Sequence, residues 1–231
     1  MKMSGGIPRK IHLIYASKTI PERYSEYAGV MYDLHPGWEI TVWDDETALA
    51  MTGKYFPQLA PVYSSYPLTV QRTDIFRVML MYVEGGFYLD LDMLCMRSLD
   101  ELCGAGLVLG TEKVLPEDQR VRLGHRFSVR IANYMFGSRP GHAFWLDVLL
   151  TAAARASSPI TDESGVLEST GPGLLTDVYH ENAYKYQDIT LLKNEHLACR
   201  RSCGPASCHF GDFAAHLHMG SWRWESTGKS N

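Results

Sequence analysis

The 231-residue sequence predicts one α/β domain, residues 1–231, with a mainly parallel central sheet flanked by helices. Short apolar segments typical of buried strands alternate with segments of helical period, and this alternation is typical of parallel α/β proteins. The chain is 45% apolar and 21% charged, which is ordinary for a globular protein. Because no stretch has the composition of a linker, we expect a single core.

Charge and hydropathy exclude several classes of protein. The formal net charge is −4 and the pI is near 6.1, so no nucleic-acid partner is expected. The longest nearly uncharged apolar stretches, such as 78–83, are too short to cross a bilayer, and no transmembrane segment is expected. The N-terminal residues have no apolar run of the signal-peptide type, which predicts a cytoplasmic protein.

The first predicted elements are a strand, a helix and a second strand. An apolar run that follows Ile-Pro predicts a buried strand within residues 7–16. An amphipathic stretch predicts a helix over 21–34, and His-Pro-Gly ends it. Alternating β-forming residues predict a strand over 38–43, after which Asp44 or Asp45 can cap the next helix.

The clearest helix is predicted over 69–83, where apolar residues recur at near-helical spacing. Gly85 and Gly86 end it, since glycine adopts positive φ without a steric penalty. A short strand over 87–91 follows and ends in acidic residues. The remaining predicted elements are strands over 107–110 and 131–136 and a helix over 141–156.

The acidic residues at the end of the strand predicted over 87–91 are the main candidates for a functional site. Asp90 and Asp92 are two residues apart, so a regular strand places both side chains on one face. Carboxylates that share a face repel each other unless a cation lies beside them, and oxygen ligands favour Mg²⁺ or Mn²⁺. Because such ions also bind phosphates, the pattern indicates a metal between acidic groups and a diphosphate. A solvated strand end is the alternative interpretation.

The preceding helix carries a second pair of charges. Asp74 and Arg77 are three residues apart and therefore lie on one helical face. They form either part of the same site or an intrahelical salt bridge worth roughly a few tenths of a kcal/mol.

Together these residues form a pattern, Asp74-x-x-Arg77 and then Gly-Gly-x-Tyr88-x-Asp90-x-Asp92, that resembles the glycosyltransferases with a sugar-binding region containing a DXD motif. That family includes the yeast initiating α-1,6-mannosyltransferase and an α-1,4-galactosyltransferase. The catalytic domains of large clostridial glucosylating toxins carry a similar pattern. Further blocks similar to the family occur in the same order along the chain: Ile7-Pro8-Arg9-Lys10-Ile11-His12, Pro140-Gly141-His142, Thr170-Gly171-Pro172 and His216-x-x-x-Gly220-Ser221-Trp222.

The resemblance implies a GT-A-type nucleotide-sugar-binding fold and a retaining hexosyltransferase. The implied cofactor is Mn²⁺ or Mg²⁺, and the implied donor is a nucleotide-diphosphate sugar, a UDP-sugar in preference to GDP-mannose. The expected acceptor is a glycan or glycolipid, with peripheral membrane contact in the second case. The alternatives are a toxin-like protein glycosyltransferase, a non-catalytic sugar-nucleotide-binding protein and a metal-dependent phosphohydrolase.

The resemblance also implies roles for individual residues. Asp92 ligates the metal directly, Asp90 contacts it through water, and these two residues act in catalysis with Arg77. An imidazole near the C-terminus, that of His216 or His218, completes the metal site. The implied donor-binding residues are His12, Tyr15, Asp74, Arg77, Tyr88, Asp90, Asn133, Ser221 and Trp222. Ordinary burial explains several of the aromatic residues and His12 equally well, and Tyr15 stands where the family often has Trp.

Two further clusters have alternative interpretations. The C-terminal group Cys199, Cys203, Cys208 and His209 has ligand types that zinc accepts, but its irregular spacing also fits reduced thiols or one local disulfide. The second cluster, within 117–130, is either a lid or anionic-acceptor site or a solvated surface. Its basic residues are Arg120, Arg122, His125, Arg126 and Arg130.

Overall fold

The computed structural model describes residues 5–193 and 208–220. The strands are β1 Lys10–Ile14, β2 Glu39–Trp43, β3 Gly86–Leu89, β4 Met93–Cys95, β5 Leu107–Val114, β6 Val129–Ile131, β7 Met135–Ser138, β8 Ile189–Leu192, β9 His209–Phe210 and β10 Ala214–His216. The helices are α1 Ser25–Leu34, α2 Asp45–Tyr55, α3 Ala60–Ser65, α4 Thr69–Val83, α5 Glu117–Arg122, α6 Phe144–Arg155, α7 Glu163–Ser169 and α8 Pro172–Asn182.

A seven-stranded sheet forms the centre of the protein, in the order β2-β1-β3-β7-β5-β6, with β8 also paired to β5. Strands β1, β2 and β3 are parallel, and β8 is parallel to β5. Strand β7 is antiparallel to both β3 and β5, which therefore share a direction, and β6 is antiparallel to β5. The predicted mainly parallel sheet flanked by helices is thus confirmed, with β6 and β7 as its reversed strands.

Alternation along the strands divides the core between the two faces of this sheet. Tyr88 of β3 packs with helices α4, α6 and α8 on one face. Phe87 and Leu89 of the same strand pack on the other face, where α1 and a second sheet lie. This second sheet has three strands in the order β4-β10-β9. The carboxyl end of β3 therefore lies between two packed layers.

Local signals predicted α4 well, because its bounds, Thr69–Val83, are those of the predicted helix. The glycines after it have φ of +65° at Gly85 and +87° at Gly86. A Cβ at Gly86 would lie 2.8 Å from the carbonyl oxygen of Lys10, so glycine also permits the close approach of β3 to β1. The predicted cap is confirmed at Asp44, whose carboxylate accepts from the Thr47 amide at 2.9 Å.

The prediction of one strand over 131–136 was wrong, because β6 ends at Ile131 and β7 begins at Met135. Between them the Ala132 amide donates to the Gly110 carbonyl, and the Tyr134 carbonyl accepts from the Asp90 amide. The chain thus leaves the ladder to make contacts at the end of β3. The helix predicted over 141–156 begins later, at Phe144.

None of the helices in the described residues combines the length and the apolar character needed to cross a membrane.

Candidate active site

The two motif aspartates lie in a turn that follows β3 and not on the strand itself. Strand β3 ends at Leu89, and the Met93 amide donates to the Asp90 carbonyl oxygen at 3.1 Å, which closes a turn before β4. The expectation of a regular strand at these positions was therefore wrong. The turn nevertheless brings both carboxylates to the same side.

A third possible ligand comes from the distant strand β10. Antiparallel pairing of β10 with β4 places His216 opposite Met93, next to Asp92 in the chain. Ligand atoms of Asp90, Asp92 and His216 all lie within 4.8 Å of one another, and His216 Nε2 is 3.2 Å from Asp92 Oδ1. Two carboxylates and one imidazole suit Mn²⁺ better than Mg²⁺, which strongly prefers oxygen. The residues present therefore fit a divalent cation.

His218, the alternative imidazole, is not part of this group of three. Its ring centroid lies 4.1 Å from that of His216, and it lines the cavity over the three candidate ligands that is described below. The ring of Tyr134 stacks on His216 with centroids 4.5 Å apart. His216 is therefore placed by backbone pairing and by packing.

The two aspartates have opposite pKa shifts. Burial raises the pKa of Asp90 above its ordinary value. At Asp92 burial acts in the same direction, but the hydrogen bond to His216, the His216 charge and the Met219 amide lower its pKa overall. The Met219 amide donates to Asp92 Oδ2 at 2.9 Å. Asp92 is thus the more readily ionised of the two carboxyl groups.

Arg77 joins α4 to the motif turn. Its guanidinium lies 3.2 Å from Asp74 Oδ1 and 3.3 Å from Asp90 Oδ1, and Nη1 donates to the carbonyl oxygen of Asn133 at 2.7 Å. The guanidinium also lies over the Tyr88 ring, 4.5 Å from its centroid. The Tyr88 hydroxyl donates to Asp90. The Asp74–Arg77 pair is therefore intrahelical, as one interpretation expected, but it is buried and part of a larger network.

Asp74 is held on both oxygens by residues from two other elements. Its Oδ1 accepts from Asn133 Nδ2 at 2.9 Å, and its Oδ2 accepts from Thr170 Oγ1 at 3.0 Å. Burial raises the pKa of Asp74, against the charge of Arg77 and these two hydrogen bonds. The network positions a carboxylate and an amide beside the cation site.

Two cavities meet at these residues. The smaller, about 180 Å³, lies over the three potential metal ligands, and the larger, about 460 Å³, extends along the ends of the strands. Both are lined by the same central residues: Ile14, Tyr15, Thr73, Arg77, Asp90 and His216. The larger cavity reaches Arg23 and Asp45 on the β1–β2 side and Glu112 on the β5 side.

Most of the predicted site residues that the structure describes face these cavities, but His12 does not. His12 is buried, with Nε2 2.8 Å from the Gly85 carbonyl oxygen and Nδ1 accepting from Trp43 Nε1 at 3.1 Å. Burial lowers its pKa to about 4. The geometry matches the alternative interpretation of His12 as a structural histidine.

Several predictions fall on residues outside the described ranges. Ser221 and Trp222 are among them, and so are Cys199 and Cys203 of the suggested zinc cluster. The other two members of that cluster lie at the start of the described C-terminal segment, where Cys208 directly precedes β9 and His209 is the first residue of that strand.

Sequence reasoning missed three residues at the site. Thr170 belongs to the recognised Thr-Gly-Pro block, but no role was assigned to its hydroxyl. Tyr134 follows the predicted Asn133 and could have been included on that ground. Glu112 lines the larger cavity from β5 and pairs with Arg130 at 3.5 Å, and no local pattern marks it.

Known proteins resemble the chain in sequence. Residues 21–109 match the family model described as "Glycosyltransferase sugar-binding region containing DXD motif". The chain is 30% identical to inositol phosphoceramide mannosyltransferase 3 of Schizosaccharomyces pombe over 176 residues, which are 76% of this chain and 46% of the yeast protein. It is 25% identical to the uncharacterized glycosyltransferase L373 of Acanthamoeba polyphaga mimivirus, over 94% of this chain and 84% of the viral protein. The chain spans about half the length of the S. pombe relatives it matches.

Similarity to a solved structure supports the fold. The PaToxG glycosyltransferase superposes with a TM-score of 0.54 and 19% sequence identity, over 78% of this chain and 71% of that one. The predicted glycosyltransferase fold is thereby confirmed.

Proposed function

We propose that the chain belongs to the family of glycosyltransferases whose sugar-binding region contains a DXD motif, since the model of that family matches residues 21–109. We propose further that it transfers a hexose from a nucleotide-diphosphate sugar to a glycan or glycolipid. The convergence of Asp90, Asp92 and His216 beside Arg77, at the junction of two cavities, carries this proposal. Because the same three residues offer ligand atoms for a divalent cation, we propose that the transfer requires a bound metal ion.

Mannose is the hexose we propose first. Sequence reasoning alone favoured a UDP-sugar over GDP-mannose, but the names of the yeast relatives favour mannose. The acceptor named for those relatives is inositol phosphoceramide, a lipid with a phosphorylated polyol headgroup. We therefore place a glycolipid acceptor ahead of a glycan, and a protein acceptor last.

The cavities suggest how such a donor lies. The smaller cavity suits the diphosphate, since the cation ligands and Arg77 line it. The β1–β2 end of the larger cavity, lined by Tyr15 and Asp45, suits the nucleoside. The opposite end presents Asp74 and Asn133, whose oxygen and nitrogen atoms suit sugar hydroxyls.

The reaction then divides between the cation and the protein. A bound divalent cation supplies Lewis-acid stabilisation of the charge on the departing diphosphate. Arg77, which is itself buried, adds a fixed positive charge close to Asp90. Asp74, fixed on both oxygens, holds the sugar ring while the anomeric carbon becomes oxocarbenium-like. We propose retention of configuration, with the acceptor hydroxyl proton passing to the leaving phosphate.

The test is nucleoside diphosphate release from GDP-mannose and from UDP-hexoses, with Mn²⁺ and with EDTA. We expect metal-dependent turnover that Asp92→Asn removes. The exposed Asp33→Asn is the matched control, because it also replaces one carboxylate by an amide, and it should retain activity. NMR of the product determines the anomeric configuration.

Three outcomes would refute parts of the proposal. Binding of sugar nucleotides without turnover favours a non-catalytic binding protein. Phosphate-ester cleavage without release of a nucleoside diphosphate from any sugar donor favours a phosphohydrolase. Wild-type rates in Asp92→Asn contradict the proposed cation site.

A further inference from the structure

The end of β5 and the connection that follows it to β6 carry an unusual number of exposed apolar side chains. Val114, Val121 and Leu123 are 37%, 61% and 53% exposed. These are three of the ten large apolar residues that are exposed among the described residues, and they lie within ten positions. Single exposed apolar residues are common, whereas several on one surface segment indicate an interaction site.

The charge of this segment is opposite to that of the protein. The chain has a formal net charge of −4, yet residues 113–126 contain four basic and two acidic residues, a net charge of +2 when His125 is neutral. Arg122 lies between Val121 and Leu123, is exposed, and forms no ion pair with another described residue. The basic residues are Lys113, Arg120, Arg122 and Arg126, and the acidic ones are Glu117 and Asp118.

The base of this connection is fixed to the wall of the larger cavity. Glu112, the residue before Lys113, lines that cavity from β5. Arg130, which is buried on β6, lies 3.5 Å from Glu112 and 3.0 Å from Glu168 of α7. The exposed segment therefore leaves the protein beside the end of the cavity that lies away from β1 and β2.

We propose that residues 113–126 dock onto an anionic lipid bilayer, with Val121 and Leu123 inserted at the headgroup level and Arg122 against lipid phosphates. Interleaved apolar and cationic side chains are the pattern that binds such interfaces. A bilayer at this surface lies next to the Glu112 end of the larger cavity, so that a headgroup can enter while its acyl chains stay in the membrane. The role as an acceptor entrance depends on the proposed glycolipid function, whereas the docking itself does not.

The experiment is co-sedimentation of the full chain with phosphatidylcholine vesicles, with and without phosphatidylserine. We expect binding to the anionic vesicles that weakens as salt is raised, because the Debye length shortens. The double variant Val121→Ser/Leu123→Ser should bind roughly tenfold more weakly or worse, and Arg122→Glu should lose a comparable factor. The matched control is Leu150→Ser on α6, which removes a side chain that is 65% exposed elsewhere and should leave binding unchanged.

Equal binding by the double variant and the wild type would overturn the proposal, and so would the absence of binding to anionic vesicles. An equal loss of vesicle binding in the Leu150→Ser control would show nonspecific hydrophobic adsorption, and this result too would overturn the proposal. Thermal unfolding of each variant confirms that the exposed substitutions leave the fold intact. Turnover of sugar nucleotides without binding to vesicles would refute the docking proposal alone. Binding to vesicles without any turnover would refute the proposed function alone.

Discussion

Replacement of Arg77 by Met tests the network of buried charges at the candidate active site. Arg77 is only 6% exposed, and its guanidinium lies within 3.3 Å of a carboxylate oxygen of both Asp74 and Asp90. Removal of one partner from a buried ion pair costs about 3–5 kcal/mol, because the remaining charge stays buried without compensation. The total stability of a protein is about 5–15 kcal/mol, so we expect Arg77→Met to lose roughly a fifth or more of it.

The stability lost in Arg77→Met should be larger at neutral pH than at acidic pH. Burial already raises the pKa of Asp74 and of Asp90, and without Arg77 both pKa values rise further. A carboxyl group whose pKa is higher in the folded than in the unfolded state loses stability as the pH rises through the unfolded value and up to the folded one. The penalty of Arg77→Met is therefore largest at neutral pH, and it should be smaller at pH 5.

Urea unfolding of wild type and variant at pH 7 and pH 5, followed by circular dichroism, measures both quantities. Arg9→Met is the control, because the Arg9–Asp100 pair is solvent-exposed and its loss should leave the free energy of unfolding nearly unchanged. A penalty for Arg77→Met that is as small as that of the control, or that does not change with pH, would refute the reasoning.

Three further perturbations probe neighbouring parts of the structure. His12 has a folded-state pKa of about 4, below its unfolded value. Its contribution to the free energy of unfolding is therefore complete above about pH 6.5 and falls by about 3 kcal/mol towards pH 4. Urea unfolding of a His12→Asn variant at several pH values should lack this pH-dependent contribution. Gly86→Ala should destabilise the protein by about 2 kcal/mol or more in the same unfolding assay. The added Cβ would lie 2.8 Å from the Lys10 carbonyl oxygen, and alanine is strained at the φ of +87° found at this position. Mn²⁺ at a hundred times its Kd should raise the Tm by roughly 5–10 °C in wild type and not in Asp92→Asn, as measured by differential scanning fluorimetry.

Local patterns predicted the parts of the site that local forces determine. Helix α4 has a helical apolar period and a glycine stop, so the positions of Asp74 and Arg77 followed from the sequence alone. The order of strand, turn and acidic pair after it followed in the same way. The resemblance to a family added the C-terminal histidine.

Tertiary contacts determined the rest, and the sequence does not show them. Residues 131–136 have the composition of a strand, but the Asn133 carbonyl turns to Arg77 Nη1 and the Tyr134 carbonyl to the Asp90 amide, which breaks the ladder there. The pairing of β10 with β4 groups His216, and not His218, with the two aspartates, and no local pattern shows that pairing. Glu112 has no local signature, because only the sheet order brings β5 to the cavity.

The candidate cation site is assembled from chain positions that are far apart, and this has a consequence for biosynthesis. Asp90 and Asp92 lie in the first half of the sequence, and His216 reaches them only when its strand has joined β4. The main chain of Asp92 also accepts from the Leu217 amide, and its side chain from Met219. A polypeptide still on the ribosome without these residues therefore lacks both the third ligand and the contacts that fix the second. If the proposed function is correct, catalytic competence should arrive only after residues 216–219 have been synthesised, and a chain that stops before them should consume no nucleotide sugar.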